Sequence, residues 1–297
     1  MPASCRASSR KPARSCSRSA SSSRCRTWRA PSTRATSSKK LTPLKPVGPG
    51  ARAALGLAFF VLFFVAWGIA TLGGYVSPTF LADPFTMVRE GVNLIVQHGF
   101  MKDILITIWR VFGGFLLAAA IGIPLGMMMG AYKPVEAFFE PFISFSRYLP
   151  ASAFIPLLIL WAGTGETQKL LVIFVGSFFQ IVLMVAIAVG NTRRDLVEAA
   201  YTLGASDRAI VTRVLFPAAA PEIAEISRLV LGWAWTYVIV AELIGASSGI
   251  GHMIMDSQAL LNTGQIIFGI VVIGVIGLIS DFLFKALNRR LFPWSLA

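Results

Sequence analysis

Six apolar runs, near residues 53–74, 103–131, 137–162, 169–190, 219–245 and 264–287, are each long enough to cross a lipid bilayer. A hydrocarbon core of about 30 Å takes about 20 helical residues. Lipid offers no partner for a backbone N–H or C=O, so a run of this length must satisfy its own backbone as a helix. With 55% hydrophobic and 14% charged residues and a mean hydropathy of +0.69, the chain is a polytopic membrane protein rather than a soluble domain around one core. The predicted fold class is all-α, with six transmembrane helices.

The charge is segregated along the chain. Residues 1–50 hold 12 of the 27 Lys and Arg and none of the 14 acids, so most of the net charge of +13 sits there. The remaining 51–297 are close to neutral, and the basicity gives no reason to expect a nucleic-acid partner for the folded part. The same 50 residues contain Cys5, Cys16 and Cys25 in a Ser/Pro/Arg background with few aliphatics. Such a segment is expected to be disordered, and its cysteines lack metal-ligand spacing. It reads as translated upstream sequence from a misassigned start, with a transit peptide or a polybasic lipid-surface arm as the alternatives.

In the body, Lys133, Arg193, Arg194, Arg208, Arg213, Arg289 and Arg290 share one side of a six-span topology, the side of the tail. Arg89, Lys102 and Lys169 lie on the other. The positive-inside rule then makes both termini cytoplasmic, along with the polar loop between spans four and five. On the opposite side, Pro84–His98 and Gly251–Leu261 read as short amphipathic helices at the outer surface. His98 and His252 stand at their edges without ligand-spaced partners.

The polar loop has a defined pattern. Asp195 is placed as an N-cap, with Glu198 three residues on as in a capping box. A short helix then carries Leu196, Ala199, Ala200 and Leu203 and ends at Gly204. A second short helix begins near Ser206 and Asp207 and is expected to stop at Pro217. The pair forms an elbow over 195–213.

This elbow, with Glu198-Ala199-Ala200, Gly204 four residues on, and Val214-Leu215-Phe216-Pro217, resembles the loop by which permease subunits of ATP-binding-cassette importers dock on their ATPase. About residues 78–294 are similar to the nitrate/taurine/sulfonate/bicarbonate group of these permeases. The likeness is carried by Thr107–Phe115, Gly122-Ile123-Pro124-Leu125-Gly126, Phe145–Pro150 through Ile155-Pro156-Leu157, Gly232–Trp235 with Ala241-Glu242-Leu243, and Ser247-Ser248-Gly249-Ile250-Gly251. Phe216 before the proline, and Tyr148 and Ala151 in the third span, depart from the group's usual residues.

The resemblance implies a type I importer permease fold in the bacterial inner membrane. It implies a homodimer with two ATPase subunits and a periplasmic substrate-binding protein, with ATP and Mg used by the ATPase and no cofactor held by this chain. Glu198, Ala199, Ala200, Leu203, Gly204 and Asp207 would couple the two subunits. The solute implied is a small anion such as nitrate, a sulfonate, taurine or bicarbonate.

Ionisable residues inside the spans are costly, at about 2.5–3.5 kcal/mol each at mid-helix on insertion scales, so each needs a partner or a function. Counting 1.5 Å per residue puts Arg110 level with Glu242, and Arg228 level with Asp281, as candidate ion pairs. Arg147 has no carboxylate at its depth. With Pro150 and Pro156, which interrupt the third span, it is a candidate for the pathway lining. Glu222 and Glu225 are expected at the N-terminus of span five, where the helix dipole favours acids. Ala118, Gly122, Gly126 and Gly130 recur every four residues as a small face for close helix packing.

No catalytic constellation, metal cluster or Gly-Lys-Ser/Thr phosphate loop is assembled, so ATP hydrolysis falls to another polypeptide. The alternative reading is a stand-alone ion-coupled transporter or channel using Arg147 and Glu242.

Overall fold

The computed structural model describes residues 48–77 and 79–296. The disordered-tail expectation for residues 1–50 therefore falls almost entirely outside the described residues. Eleven α-helices are present among those described: α1 (Pro49–Leu72), α2 (Pro84–Gln97), α3 (Phe100–Ala131), α4 (Lys133–Arg147), α5 (Ile155–Ala162), α6 (Glu166–Gly190), α7 (Arg194–Thr202), α8 (Asp207–Ile210), α9 (Phe216–Leu243), α10 (Ile250–Ala259) and α11 (Thr263–Leu291). Five helical segments are long and apolar enough to cross a membrane: α1, α3, α6, the run from α8 through α9, and α11.

The sixth expected span, 137–162, is not one helix. Here α4 and the segment Ala151–Ala162 together are long and apolar enough for a sixth, broken span, and they meet at 89°. Pro150 is the cause, since a proline disfavours helical geometry in the residue before it and itself sits extended at φ −66°, ψ 127°. Pro156 does not interrupt a helix. It occupies the first turn of α5, where an N–H would have no intrahelical acceptor anyway.

The centre of the bundle is α3 packed on α6, with α9 against both. Val111, Phe115 and Ala118 of α3 meet Ile173, Ile181, Val185 and Val189 of α6, and Val230, Leu231, Ala234 and Val238 of α9 complete the core. The small face of α3 sets the closeness of the first contact. A β-carbon on Gly126 would lie 2.7 Å from the Val182 carbonyl oxygen, and one on Gly130 would lie 2.6 Å from that of Ala186. Only glycine lets the two backbones approach this far.

The run from α8 into α9 also differs from expectation, because the chain does not stop at Pro217. Between Ile210 and Phe216 it widens into a π-turn over Val211–Leu215, and α9 continues through both Pro217 and Pro221. A proline in a regular α-helix clashes with the carbonyl four residues back. One extra residue in the turn before Pro217 relaxes that crowding, so the second arm of the elbow flows into a membrane span.

Candidate functional site: an elbow at one end and a buried charge network at the other

At the elbow, α7 is shown by its bonds to be a capped unit. Gly204 has φ +79°; its N–H donates to the Tyr201 carbonyl at 2.9 Å, and that of Ala205 donates to Ala200 at 3.0 Å. These two bonds form a Schellman motif, which needs a left-handed residue at this position. The N-terminal end differs from the expected capping box. The N-cap residue is Arg193, without a side-chain cap bond, and Asp195 falls in the first turn. There Asp195 pairs with Arg193, whose guanidinium holds the carboxyl below the ordinary aspartate value. Ser206 caps α8 through the Ala209 N–H.

Tyr201 ties the two arms of the elbow by donating from its hydroxyl to Asp207 at 2.9 Å, a bond that raises the phenol's pKa. None of the α7 side chains is buried. Glu198, Ala199 and Gly204 are exposed, Ala200 is half-buried, and Leu203 is 87% exposed at the tip.

The opposite end of the bundle holds a saturated polar network. Arg110 of α3 and Glu242 of α9 are both fully buried, 2.7 Å apart. All five guanidinium N–H groups find acceptors. Nε and Nη2 grip Glu166 of α6 at 2.7 and 2.5 Å, and Nη1 reaches Glu242 and the Ser248 carbonyl, each at 2.7 Å. Nη2 also donates to Ser248 Oγ at 3.1 Å.

Glu242 accepts two further bonds, from the Thr107 hydroxyl at 2.8 Å and the Gly251 N–H at 2.8 Å. Thr107 accepts from the Ile250 N–H, and Asp103 accepts from the Gly249 N–H at 2.7 Å. The Ser247–Gly251 loop is thereby stitched to α3 and α9, and Gly249 takes φ +109°. Depth counting finds the Arg110–Glu242 level. It misses Glu166, which starts α6 and has the acidic first-turn position as its only sequence signal, and it misses Thr107 and the loop. Lys169, also buried, donates to the Thr164 and Gly165 carbonyls at 3.0 and 3.2 Å.

At the elbow end, Arg228 of α9 reaches Asp281 of α11 and bonds Glu225 at 2.8 Å, while Lys285 bonds Asp281 at 2.8 Å. Glu222 and Glu225 do not open span five as expected. Because α9 starts at Phe216, no acid stands in its first turn, and Glu225 is held by Arg228 and by Asn288 at 3.3 Å. Arg147 ends α4, exposed, with its guanidinium on the neighbouring Tyr148 at 3.1 Å from the hydroxyl and 4.9 Å from the ring centroid. No carboxylate bonds it among the described residues. Groups of three or more metal-ligating side chains are likewise absent among them.

A cleft of about 400 Å³ lies beside the Ser247–Gly251 loop, where His98, Asp103, Ser247, His252, Asp256 and Gln265 line it. His252 stands 3.3 Å from Asp256.

A helical bundle with membrane-length spans and an exposed helical elbow continuous with one of them is the architecture of a polytopic membrane protein. The chain belongs to the family of binding-protein-dependent transport system inner membrane components, whose pattern matches residues 122–293. A probable ABC transporter permease protein of Brucella abortus (strain 2308) is 37% identical over 81% of this chain and 95% of its own length. The taurine transport system permease protein TauC of Escherichia coli (strain K12) is 34% identical over 79% of this chain and 86% of its own. In fold, the chain is similar to a chain of the MetNI methionine ABC transporter in an inward-facing conformation, with a TM-score of 0.59 at 20% identity over 64% of this chain and 95% of that one.

The chain is thus the membrane-spanning permease of a binding-protein-dependent ABC importer. Membership implies an ATPase and a substrate-binding protein as partners. Glu242, saturated by donors from within the protein, is not an open ion site of the kind a stand-alone ion-coupled transporter would use.

Proposed function

We propose that this permease imports a small anion of the sulfonate class, working as a homodimer with two ATPase subunits that dock on the elbow. The observation that carries the coupling role is the elbow itself: a Schellman-capped helix with no buried side chain, tied by Tyr201–Asp207 and joined to α9 without a break. A helix bonded in this way transmits displacement rather than absorbing it. Glu198, Ala199, Ala200, Leu203, Gly204 and Asp207 form the docking surface. ATP and Mg are held by the ATPase, whose closure draws the two elbows together and opens the pathway on the far side; hydrolysis reverses the motion.

The elbow faces the cytoplasm with both termini, in keeping with the Lys and Arg on that side. The periplasmic binding protein lands on the far rim, around α2, α10 and the cleft between them. Arg147, exposed at the α4 break beside Pro150 and free of a carboxylate partner among the described residues, attracts the anion in the pathway. The sulfonate class is supported by the taurine-permease relative and by the group resemblance.

The deciding experiment uses the assembled transporter in vesicles. A β-carbon at Gly204 meets no atom within 4 Å, so Gly204→Asp costs only about 1 kcal/mol of backbone strain and leaves the bundle folded. Substrate-stimulated ATP hydrolysis and taurine uptake are expected to collapse together. Normal stimulation by a correctly assembled Gly204→Asp complex would refute the docking role. Full taurine uptake by Arg147→Gln would remove Arg147 from the pathway.

A further inference from the structure

At the elbow end, α9 and α11 enclose a cleft of about 460 Å³ lined by Pro221, Glu222, Glu225, Lys285, Asn288, Arg289 and Phe292. That volume is in the range of small-molecule sites. Its inner charges are already matched, since Glu225 is bonded by Arg228 and Asn288 and Lys285 is bonded to Asp281. Two opposite charges remain on opposite walls: Glu222 on α9 and Arg289 on α11. Both are exposed and without a partner among the described residues. The mouth of the cleft therefore presents one free anion and one free cation.

Below the cleft the groove turns apolar. Residues 275, 278, 282, 285 and 289 follow the three-and-four spacing of a single helix face of α11. On it, exposed Val275, Leu278 and Phe282 continue from Lys285 toward the middle of the span, while Leu229 is exposed on α9 one turn past Glu225. A ligand matched to this surface carries a cation and an anion at one end and hydrocarbon below. We propose that the cleft binds a phospholipid with a primary-amine zwitterionic headgroup from the leaflet on the elbow side. Its phosphate sits at Arg289, its ammonium donates to Glu222, and its acyl chains lie along Phe282 and Leu278. A lipid with an anionic, uncharged-tip headgroup satisfies Arg289 but brings no cation to Glu222.

The test reads lipid retention and does not depend on which solute is transported. The full-length protein in its assembled transporter is equilibrated with vesicles of equal phosphatidylethanolamine and phosphatidylglycerol of matched acyl chains, and bound lipids are counted by native mass spectrometry. Wild type is expected to retain phosphatidylethanolamine over phosphatidylglycerol by about tenfold. Arg289→Gln should lose both lipids, and Glu222→Gln should shift the preference toward phosphatidylglycerol. Both side chains are exposed, so the variants fold. Equal retention of the two lipids by wild type, or unchanged retention in both variants, would overturn the proposal. So would efficient disulfide formation between Glu222→Cys and a second copy of the chain, which would mean that protein covers the groove.

Discussion

A β-carbon on Gly249 would stand 2.5 Å from Oε1 of Glu242 and 2.6 Å from Nη1 of Arg110. The loop closes onto the buried ion pair so tightly that it leaves no room for a methyl group, and at φ +109° the backbone also disfavours any L side chain. Gly249→Ala is therefore expected to cost about 1–3 kcal/mol in backbone strain and a comparable amount in overpacking. Thermal unfolding of the purified protein in detergent measures it. Gly204→Ala is the control, also at positive φ (+79°) but with open space around it, and should shift the melting temperature much less.

The ion pair beneath that loop should behave as a unit. Arg110→Gln alone strands the fully buried Glu242 carboxylate and is expected to cost about 3–5 kcal/mol, whereas Glu242→Gln leaves Arg110 paired with Glu166 and should cost less. Neutralising both should recover most of the folded protein, because the remaining partner, Glu166, is 56% exposed and can return to water. A double-mutant cycle on unfolding free energies reads the coupling directly. The Arg228–Asp281 pair is partly exposed, so its single neutralisations should each cost about 1 kcal/mol or less.

The contact between α3 and α6 depends on absent side chains. Gly126→Leu or Gly130→Leu would drive carbon into the Val182 or Ala186 carbonyl, and a loss of about 1–3 kcal/mol is expected. Gly232→Ala, whose new atom meets nothing within 4 Å, should be near neutral. Expression and unfolding in detergent distinguish them.

At the opposite rim, Asp83 caps α2 by accepting from the Phe85 and Thr86 N–H groups at 3.1 and 3.0 Å and from the Thr86 hydroxyl at 2.6 Å. The Thr86 hydroxyl bond holds this carboxyl below its ordinary value. A lowered folded-state pKa stabilises above the unfolded value and is lost as pH falls through the folded one. The protection factors of the amides of residues 85–88, taken relative to intrinsic exchange at each pH, should thus fall on acidification into that range. Asp83→Asn should flatten this pH dependence, and Asp83→Ala should show low protection at every pH.

The elbow tip yields a further test of docking. Leu203→Asp replaces an exposed apolar side chain that makes no core contact, so the permease should insert and melt as wild type. Co-purification of the ATPase subunit, measured at fixed detergent and salt, should fall by at least about tenfold.

Five spans, the Gly204 and Ser206 ends within the elbow, and the level of two buried charges were legible in the sequence because each follows from a one-dimensional rule: run length, capping residues, or depth at 1.5 Å per residue; the start of the elbow at Arg193 rather than Asp195 was not. Arg110 and Glu242 could be placed level by counting along two helices. Glu166 could not, because it sits on a helix start whose exact residue decides whether it reaches Arg110. The Ser247–Gly251 loop was also hidden, since its role lies in backbone N–H groups that any residue carries. The α4–α5 corner was half visible: proline announced a break, but its 89° angle depends on how α4 packs on α6 through Ile143 and Phe139. Pro217 misled for a related reason. A proline read alone stops a helix, and only the widened turn before it lets the helix proceed.

That widened turn also fixes an angular phase. One inserted residue advances a helix by about 100°, so the elbow is rotated about the axis of α9 by that amount relative to an uninterrupted α-helix. Removing a single residue from Val211–Val214 would keep α9 in its place from Phe216 onward, unseat Ile210, which is buried beside the turn, and swing Leu203 and Glu198 to another compass bearing. The direction in which the elbow points is thus set by one codon.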